Sequence, residues 1–447
     1  MDSQLVTVPR AEHPVSRRNL SGNAVRTLYR LRDNGFRAFL VGGCIRDLLL
    51  GREPKDFDIA TDATPSQIKR LFRNCRLVGR RFRLAHLHFR EELIEVATFR
   101  SSAAEEDSPD ELGIVKDDDG MVLRDNLYGT PEEDAWRRDF TVNALCYDIA
   151  TFSILDYVGG LDDLSRGIIR TIGDPEIRFV EDPVRMLRAV RFAALLGFEI
   201  EPDTWRAIIR LAGHSANASP PRIYEELLKL FLSGEGERCY QLLRQSGIFA
   251  ALLPGINSWL ETESDGFPHV RLGRMLESVD RLTADGTPCQ PPLLLALIFG
   301  DFLEERAAAL QEHEPPRKAL DLAVLFFFEE LSATIKVPQK TILRLREILF
   351  CRQRFRSTPG RRPHSFISRP CFDEALNYFE LTADTSDDRK VLSWWRRYLE
   401  ANPPQAPDPA GTRSDQETGK SDRPRRRRRN RRRRRSPAGS QNPNTEN

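Results

Sequence analysis

The chain has 447 residues, of which 40% are hydrophobic and 30% charged, and its formal net charge is +2. This length allows roughly two to four domains, and its longest apolar runs, Leu293–Phe299 and Leu322–Phe328, are too short to span a bilayer. Seven scattered cysteines without a Cys-x-x-Cys pair argue against a disulfide framework or a zinc site and predict a reducing, cytoplasmic setting.

The N-terminal part alternates between helical and extended patterns. Residues 1–20 show no periodicity and are predicted to be loose. Hydrophobic spacing and turn residues then predict a helix, a strand, a short helix, a strand and a helix, at 21–33, 36–41, 45–50, 57–60 and 64–72.

Two further strands are predicted before the chain becomes helical. The segments 76–89 and 93–98 alternate as strands and are expected to pair through a turn at 90–92. Residues 101–119 are acidic and poor in bulky side chains, which predicts a mobile loop. From about residue 163 to about residue 400, amphipathic helices dominate.

Glycine, arginine and acidic residues follow one another after the first predicted strand. Gly42 and Gly43 allow backbone N–H groups to approach phosphate oxygens, and Arg46 is placed to meet the charge of a triphosphate. Asp56 and Asp58 lie on an extended segment, so both carboxylates face one side and can bind the Mg²⁺ ions that phosphoryl transfer requires. An isolated Asp-x-Asp is more often a solvated turn, but its position after Gly-Gly-x-x-Arg-Asp favours a metal site.

Further candidates lie on a later strand and after a short helix predicted at 131–136. Glu95 lies on an apolar strand, where it either joins the acidic pair as a third carboxylate or points outward to water; both interpretations stay open. Arg137 and Arg138 are placed to bind phosphate or ribose, and Asp139 to accept from a ribose hydroxyl or to help hold the metal. Taken alone, Arg-Arg-Asp is more typical of a surface salt-bridge cluster.

The segment EDPVRMLRAVRFAALLGFEI predicts a helix with clear boundaries. Asp182 is expected to cap its start, with Pro183 in its first turn, and Gly197 to end it. Arg185 and Arg188 are three residues apart and lie beside the capping acid, where they can hydrogen-bond the edge of a base. The alternative is an ordinary helix surface rich in arginine.

Two basic segments suggest contact with a polyanion. Arg80, Arg81 and Arg83, with Phe82, either protect an edge strand from aggregation or line the phosphate-binding cleft, and we favour the cleft. From Gly411 onward the chain carries 13 Lys and Arg against four Asp and Glu. Such a tail cannot fold, and it should bind nucleic acid without sequence preference and with strong salt dependence.

The motifs LVGGCIRD, KDFDIATDATP, IEVATF, RRDFTVNAL, DYVGGLDDL and EDPVRMLRAVRFAA occur in this order between residues 39 and 198. Together they resemble the class II nucleotidyltransferases of the polymerase β superfamily, which comprise tRNA CCA-adding enzymes and bacterial poly(A) polymerases. The segment LFRNCRLVGRRFRLAH and the arginine-rich C-terminus are similar to the poly(A) polymerase branch. The resemblance covers most of residues 20–400 and is strongest in the N-terminal part.

The resemblance implies an α+β fold, with a nucleotidyltransferase head built on a mixed or antiparallel sheet and an all-helical neck, body and tail. Its domains would be a disordered N-terminus, a catalytic head, a neck for nucleotide-base recognition, an RNA-binding body and a disordered basic tail, at 1–20, 21–172, 173–260, 261–400 and 401–447.

The implied activity is template-independent addition of AMP from ATP to RNA 3′ ends with two Mg²⁺ ions, by a protein expected to be a monomer. The residues implied are Asp56, Asp58 and Asp139 for catalysis, Asp56, Asp58 and Glu95 for metal, Gly42, Gly43, Arg46 and Arg138 for the nucleotide, and Asp182, Arg185 and Arg188 for the adenine edge.

Two rival functions stay open. A CCA-adding tRNA nucleotidyltransferase shares the Asp182 and Arg185 pattern, so these motifs alone do not decide between ATP and CTP. A non-catalytic RNA-binding scaffold would use the arginine tail, but the intact Gly-Gly turn, Arg46 and both aspartates argue against it.

Overall fold

The computed structural model describes residues 5–79, 83–101, 115–116, 122–124, 128–262, 268–356, 363–383 and 385–403. Its strands are β1 Val6–Val8, β2 Ala38–Val41, β3 Asp58–Thr61, β4 Cys75–Val78, β5 Leu84–His88, β6 Leu93–Thr98, β7 Val115–Lys116, β8 Val122–Arg124, β9 Cys146–Asp148, β10 Ser153–Asp156, β11 Ile168–Ile169 and β12 Glu199–Ile200.

The helices interleaved with the strands are α1 Gly22–Asp33, α2 Gly43–Leu49, α3 Pro65–Leu71, α4 Pro131–Trp136, α5 Gly160–Arg166, α6 Pro175–Glu181 and α7 Val184–Leu196. The helical part continues with α8 Pro202–Arg210, α9 Pro220–Phe231, α10 Gly236–Gln245, α11 Ile248–Leu252, α12 Pro254–Leu260, α13 Pro268–Ala284, α14 Pro291–Leu310, α15 Pro316–Leu331, α16 Gln339–Arg356, α17 Pro363–Ile367, α18 Phe372–Leu381 and α19 Ser386–Ala401. This order confirms the predicted α+β class.

The main sheet has eight strands in the order β1-β10-β9-β2-β3-β6-β5-β4. Every neighbouring pair is antiparallel except β3 and β6, which are parallel, so the prediction of a mixed sheet is confirmed. A parallel pair needs a crossover, and here α3, β4 and β5 lie between the two strands in sequence. The predicted hairpin is confirmed for β5 and β6, but the single strand predicted at 76–89 is wrong, because that segment contains two antiparallel strands, β4 and β5.

One face of the sheet is covered and the other is partly open. Alternate residues of β3, β5 and β6, such as Ile59, Leu87 and Val96, are buried in the main hydrophobic core with Leu28 of α1 and Ile68 of α3. Because side chains alternate across a strand, the residues between them face the opposite side. That opposite face contains the acidic residues of the candidate site.

The apolar runs lie in helices of the C-terminal half. Leu293–Phe299 is buried in α14, as predicted. Leu322–Phe328 lies in α15, where Leu325 and Phe326 are more than half exposed, so only one side of that run is buried. Among the described residues, none of the helices combines the length and the hydrophobicity that crossing a membrane requires.

The prediction that residues 1–20 are loose is wrong for residues 5–20. β1 pairs with β10 at the edge of the sheet, and Val15 is buried. The ring of His13 is also buried, with Nε2 2.9 Å from the carbonyl oxygen of Phe152. A strand of three residues whose partner is distant in sequence leaves no periodic signal, which explains the error.

The helix predicted from Asp182 begins slightly later than expected. Pro183 immediately precedes α7, which starts at Val184. Asp182 instead follows the end of α6, and its carboxylate accepts hydrogen bonds from Arg222. Gly197 ends α7 with φ +74°, as predicted.

Several predictions concern residues outside those described. They are the loop at 101–119 apart from Ser101 and residues 115–116, the side chains of residues 80–82, and the tail from residue 404. Residues 1–402 group into one unit by their contacts, so the limits of head, neck and body stay predictions.

The DYVGGLDDL motif forms a tight turn between β10 and α5. The Asp156 carboxylate accepts hydrogen bonds of 2.9–3.1 Å from the backbone N–H groups of residues 158–161. A Cβ atom on Gly160 would lie only 2.2 Å from the carbonyl oxygen of Thr141. Only glycine therefore allows this close approach.

We expect Gly160→Ala to lower the free energy of unfolding by about 2–3 kcal/mol, because the added methyl group overlaps backbone. Urea denaturation measures the change. Gly213→Ala is the matched control, since a Cβ atom there would meet nothing within 4 Å. Equal destabilisation by the two substitutions would contradict this account of the turn.

Candidate active site

A glycine turn joins β2 to α2. Gly42 has φ +81°, a conformation that favours glycine. A Cβ atom at this position would lie 3.2 Å from Nη1 of Arg138 and 3.7 Å from Oδ2 of Asp58. The side chains of Arg138 and Asp58 therefore both approach Gly42 closely, and Gly43 begins the first turn of α2.

The register of the strands places acidic residues beside this turn. Asp58 is the first residue of β3 and pairs with Val41 of β2 on one side and with Glu95 of β6 on the other. Phe57 is buried, whereas Asp56 is exposed and Asp58 half-buried, so the two aspartates lie on the open side of the chain. The structure therefore places Asp58 next to both the glycine turn and Glu95.

Asp58 lies close to two other carboxylates, those of Glu95 and Asp56. Burial, followed by the nearby charges of Glu95 and Asp56, raises the pKa of Asp58 to about 6, although Arg138 opposes the rise. A carboxylate with such neighbours gains from a bound cation. Among the described residues, no three His, Cys, Asp or Glu side chains are grouped closely enough to form a ready-made metal site.

Arg138 is held close to Gly42 by the helix that precedes it. Its Nη2 donates to Asp134 at 3.2 Å and its Nη1 to the carbonyl oxygen of Asn143 at 3.3 Å. The Nε of Arg138 is buried without a hydrogen-bond partner among the described residues. The Nη1 atom lies close to Gly42, so the guanidinium group places a positive charge where the glycine turn could receive an anionic ligand.

Asp139 pairs with Arg188 in the structure. Its Oδ2 accepts from Nε of Arg188 at 2.7 Å, and Oδ1 accepts from Asn143 and from the N–H of Phe140. Burial acts to raise the pKa of Asp139, but the charge and hydrogen bonds of Arg188 outweigh it and lower the pKa to about 2. Asp139 thus joins α7 to the segment that follows α4.

The other residues expected to recognise the base also have partners inside the protein. Both carboxylate oxygens of Asp182 accept from Arg222 at 2.9 Å. Arg185 donates to the carbonyl oxygens of Arg178 at 3.1 Å and of Arg137 at 3.4 Å. These bonds hold the start of α7 in a fixed position relative to α6 and α9.

Arg46 is buried in the structure. The sequence predicts instead that it contacts a triphosphate. Its guanidinium donates to Asp47 and, at 2.6 Å, to Oδ1 of Asn143. It also lies over the ring of Phe192. In this arrangement Arg46 supports the loop that carries Arg138 and Asp139.

A cleft of about 600 Å³ opens beside the acidic pair. Its walls come from the glycine turn, the segment before β3, α7 and α9, and they include Gly43, Asp56, Asp58, Arg191 and Lys229. The cleft is large enough for a nucleotide or the end of a nucleic acid.

Sequence reasoning missed four residues that organise the site. Arg178 donates to the carbonyl oxygens of Arg137 and Arg138 at 2.6 and 2.8 Å. Asp134 holds Arg138, Asn143 holds Arg46, and Phe192 lies under the guanidinium groups of three arginines. The RRDFTVNAL motif contained Asn143, but nothing local indicated the partners of the other three.

Known proteins match this chain along most of its length. Family models described as "Poly A polymerase head domain", "Probable RNA and SrmB- binding site of polymerase A" and "Polymerase A arginine-rich C-terminus" match residues 38–170, 197–260 and 312–435. Poly(A) polymerase I of Salmonella typhimurium is 41% identical over 406 residues, which cover 90% of this chain and 87% of that protein.

CCA-adding enzymes match less of the chain in sequence. The enzyme of Bacillus pumilus is 36% identical over 258 residues, covering 57% of this chain and 61% of that protein. The crystal structure of the Bacillus stearothermophilus CCA-adding enzyme in complex with CTP aligns with a TM-score of 0.56 and 28% identity, over 85% of this chain and 82% of that chain.

The raised pKa of Asp58 predicts a pH-dependent effect of Asp58→Asn in metal-free protein. The folded protein keeps this proton to higher pH than the unfolded chain, so stability falls as pH rises from the ordinary value of 3.8 to about 6. At pH 7 we expect Asp58→Asn to raise the free energy of unfolding by about 2 kcal/mol.

Urea denaturation with EDTA, at pH 7 and again below pH 4, measures this effect. Below pH 4 the gain should vanish, because both folded and unfolded wild-type chains are then largely protonated at this residue. Added Mg²⁺ should reduce the gain at pH 7. An identical gain at both pH values would contradict the proposed cause.

The pair of Asp139 and Arg188 predicts strong coupling between two substitutions. Arg188→Met and Asp139→Asn should each cost of order 2 kcal/mol of unfolding free energy at pH 7, because each removes the charged pair between two partly buried side chains. The double variant should cost less than their sum in a double-mutant cycle. Because the pKa of Asp139 is lowered, the stabilisation should disappear only as pH falls from 3.8 to about 2. Additive costs at pH 7 would show that the pair is not formed.

Proposed function

From the premise that the chain belongs to the poly(A) polymerase I family and is a nucleotidyltransferase, we propose that it adds AMP from ATP to RNA 3′ ends without a template. The observation that carries this proposal is the position of Asp58 between the Gly42 turn and Glu95. A site that holds phosphates on one side and a cation beside them suits phosphoryl transfer. CCA-adding enzymes are the more distant relatives.

The residues present fit magnesium. Asp56, Asp58 and Glu95 offer the oxygen ligands that Mg²⁺ prefers, and burial, followed by the charges of Glu95 and Asp56, raises the pKa of Asp58. Because three side chains are not pre-grouped, we propose that Asp56 and Asp58 are the principal protein ligands and that nucleotide phosphates complete the coordination. Bound Mg²⁺ would neutralise charge at the attacking and leaving oxygens.

The remaining residues position the nucleotide. We propose that backbone N–H groups at Gly42 and Gly43, together with Arg138, bind the triphosphate. Arg46 and Asp139 would act by holding Asn143, Arg138 and α7 in place.

The adenine would meet the start of α7, where Asp182, Arg185 and Arg188 lie. Each guanidinium group has five N–H donors, and the bonds described for Arg185 and Arg188 use only some of them. We assign base recognition to these residues on the strength of the family resemblance.

The proposed reaction is an in-line displacement. The oxygen of the RNA 3′-hydroxyl bonds to the α-phosphorus of ATP and loses its proton, while the bond from that phosphorus to the bridging oxygen breaks. Pyrophosphate leaves, and the RNA is longer by one AMP. Repeating the reaction makes a poly(A) tail, and the basic segment after Gly411 would keep the RNA nearby. We expect the protein to be cytoplasmic and monomeric.

A primer-extension assay with each nucleoside triphosphate in turn tests this function. We expect repeated incorporation with ATP and Mg²⁺, and a loss of about a thousandfold or more in Asp58→Ala, because several kcal/mol of charge stabilisation would be removed. Binding of ATP or RNA should be largely retained.

The same assay separates the rival functions. Addition of two C and one A to a truncated tRNA, followed by arrest, would establish a CCA-adding enzyme instead. No incorporation of any nucleotide would favour a scaffold. Full activity of Asp58→Ala would rule out this acidic pair as the metal site.

A further inference from the structure

The segment between β3, which carries Asp58, and β6, which carries Glu95, is rich in basic residues. Residues 63–90 contain eight Lys and Arg and no Asp or Glu, although the first 410 residues together are net acidic. The described part of this segment forms α3, β4 and β5, with β4 at the edge of the sheet. A concentration of one charge at a sheet edge attracts a polyanion.

Strand register connects this edge to the acidic pair. Arg76 of β4 pairs with His86 of β5, His86 pairs with Glu95 of β6, and Glu95 pairs with Asp58 of β3. These residues therefore form a row across four neighbouring strands. At a spacing of about 4.8 Å between strands, the backbone of Arg76 lies about 14 Å from that of Asp58.

The row lies on the open face of the sheet. Its flanking residues pack against the hydrophobic core: Cys75, Leu77, Ala85, Leu87, Ile94 and Val96. Side chains alternate across strands, so the row faces the other way. His86 lies there with Nε2 3.3 Å from Oε1 of Glu95, and Arg76 is exposed. Within the described part of the chain, Arg76 makes no ion pair.

Surfaces that suit a nucleic-acid base lie beside the row. His88 is exposed at the end of β5, and its register partner Leu93 is 39% exposed. Imidazole rings and apolar side chains are surfaces on which unpaired bases stack. A base and a phosphate could thus be bound side by side along β5.

We propose that Arg76, His88 and Leu93 form the binding surface for the RNA strand just upstream of its 3′ end, with Arg76 contacting a backbone phosphate. The proposal rests on the proposed function, since the acidic pair must receive the RNA 3′-hydroxyl. ATP is a less suitable ligand for this surface, because Gly42 and Arg138 lie on the β2 side of Asp58 and the row lies on the β6 side. Primer and triphosphate therefore approach Asp58 from opposite sides.

The first test compares KM values for an RNA oligonucleotide in the full-length protein. Arg76→Glu should raise the KM for RNA about tenfold. It should also reduce the slope of the logarithm of RNA affinity against the logarithm of salt concentration by about one, since one phosphate contact is lost. The KM for ATP should stay unchanged. Arg76→Lys should retain most of the affinity for RNA, because it keeps the charge.

Arg18→Glu is the matched control, since Arg18 is also exposed but lies in the N-terminal segment next to α1. Both glutamate variants change the net charge equally. If the wild-type protein is active and both variants have the same KM for RNA, this proposal falls while the proposed function stands. If the wild-type protein incorporates no nucleotide, the proposed function itself fails.

Neutral methylphosphonate linkages, introduced one at a time near the RNA 3′ end, locate the contact. One such linkage should raise the KM for RNA in the wild-type protein but not in Arg76→Ala, because the contact is already lost. An equal effect at every linkage in both proteins would overturn the assignment of Arg76 to one phosphate. Unfolding midpoints of the variants confirm that each is folded.

Discussion

The position of β3 between β2 and β6 is the constraint on which the rest of the site depends. Antiparallel pairing with β2 brings Asp58 beside the glycine turn, and parallel pairing with β6 brings it beside Glu95. A register shift by one residue would turn the carboxylate of Asp58 into the core and the side chain of Phe57 outward. Burial of Phe57 and Ile59 therefore fixes the direction in which the acidic pair points. The burial of these two apolar side chains thus both stabilises the sheet and orients the acidic pair.

A second group of contacts connects the sheet to the first helices after it. Arg178 and Arg185 donate to main-chain carbonyl oxygens of the Arg137–Arg138 segment, and Arg188 pairs with Asp139. Charged hydrogen bonds of this kind are strong where water is partly excluded. They hold α7 against the loop that carries Arg138. The residues proposed to bind phosphate and those proposed to bind the base therefore keep fixed relative positions. The arginines of α7 thus have a structural role besides any contact with a nucleotide.

Much of the site could be predicted because its signals are local. The Gly-Gly turn, the alternation around Phe57 and the closure of α7 by Gly197 each depend on a few neighbouring residues, and the structure shows all three. Long-range pairing left no such signal. The sequence does not predict strand β1 because its partner β10 is remote, and it predicts Asp182 as a helix cap because its partner Arg222 is distant along the chain. Glu95 stayed undecided from sequence for the same reason, since only the parallel register places it beside Asp58.

The central claim is that Asp56 and Asp58 hold divalent cations opposite a glycine turn that binds a nucleotide's phosphates. Its most direct test is a crystal structure with Mn²⁺ and a non-hydrolysable ATP analogue, in which anomalous scattering locates the metal. The account predicts Mn²⁺ bound to oxygens of Asp56 and Asp58, with the triphosphate against Gly42 and Gly43. Mn²⁺ bound elsewhere, or a triphosphate remote from that turn, would contradict it.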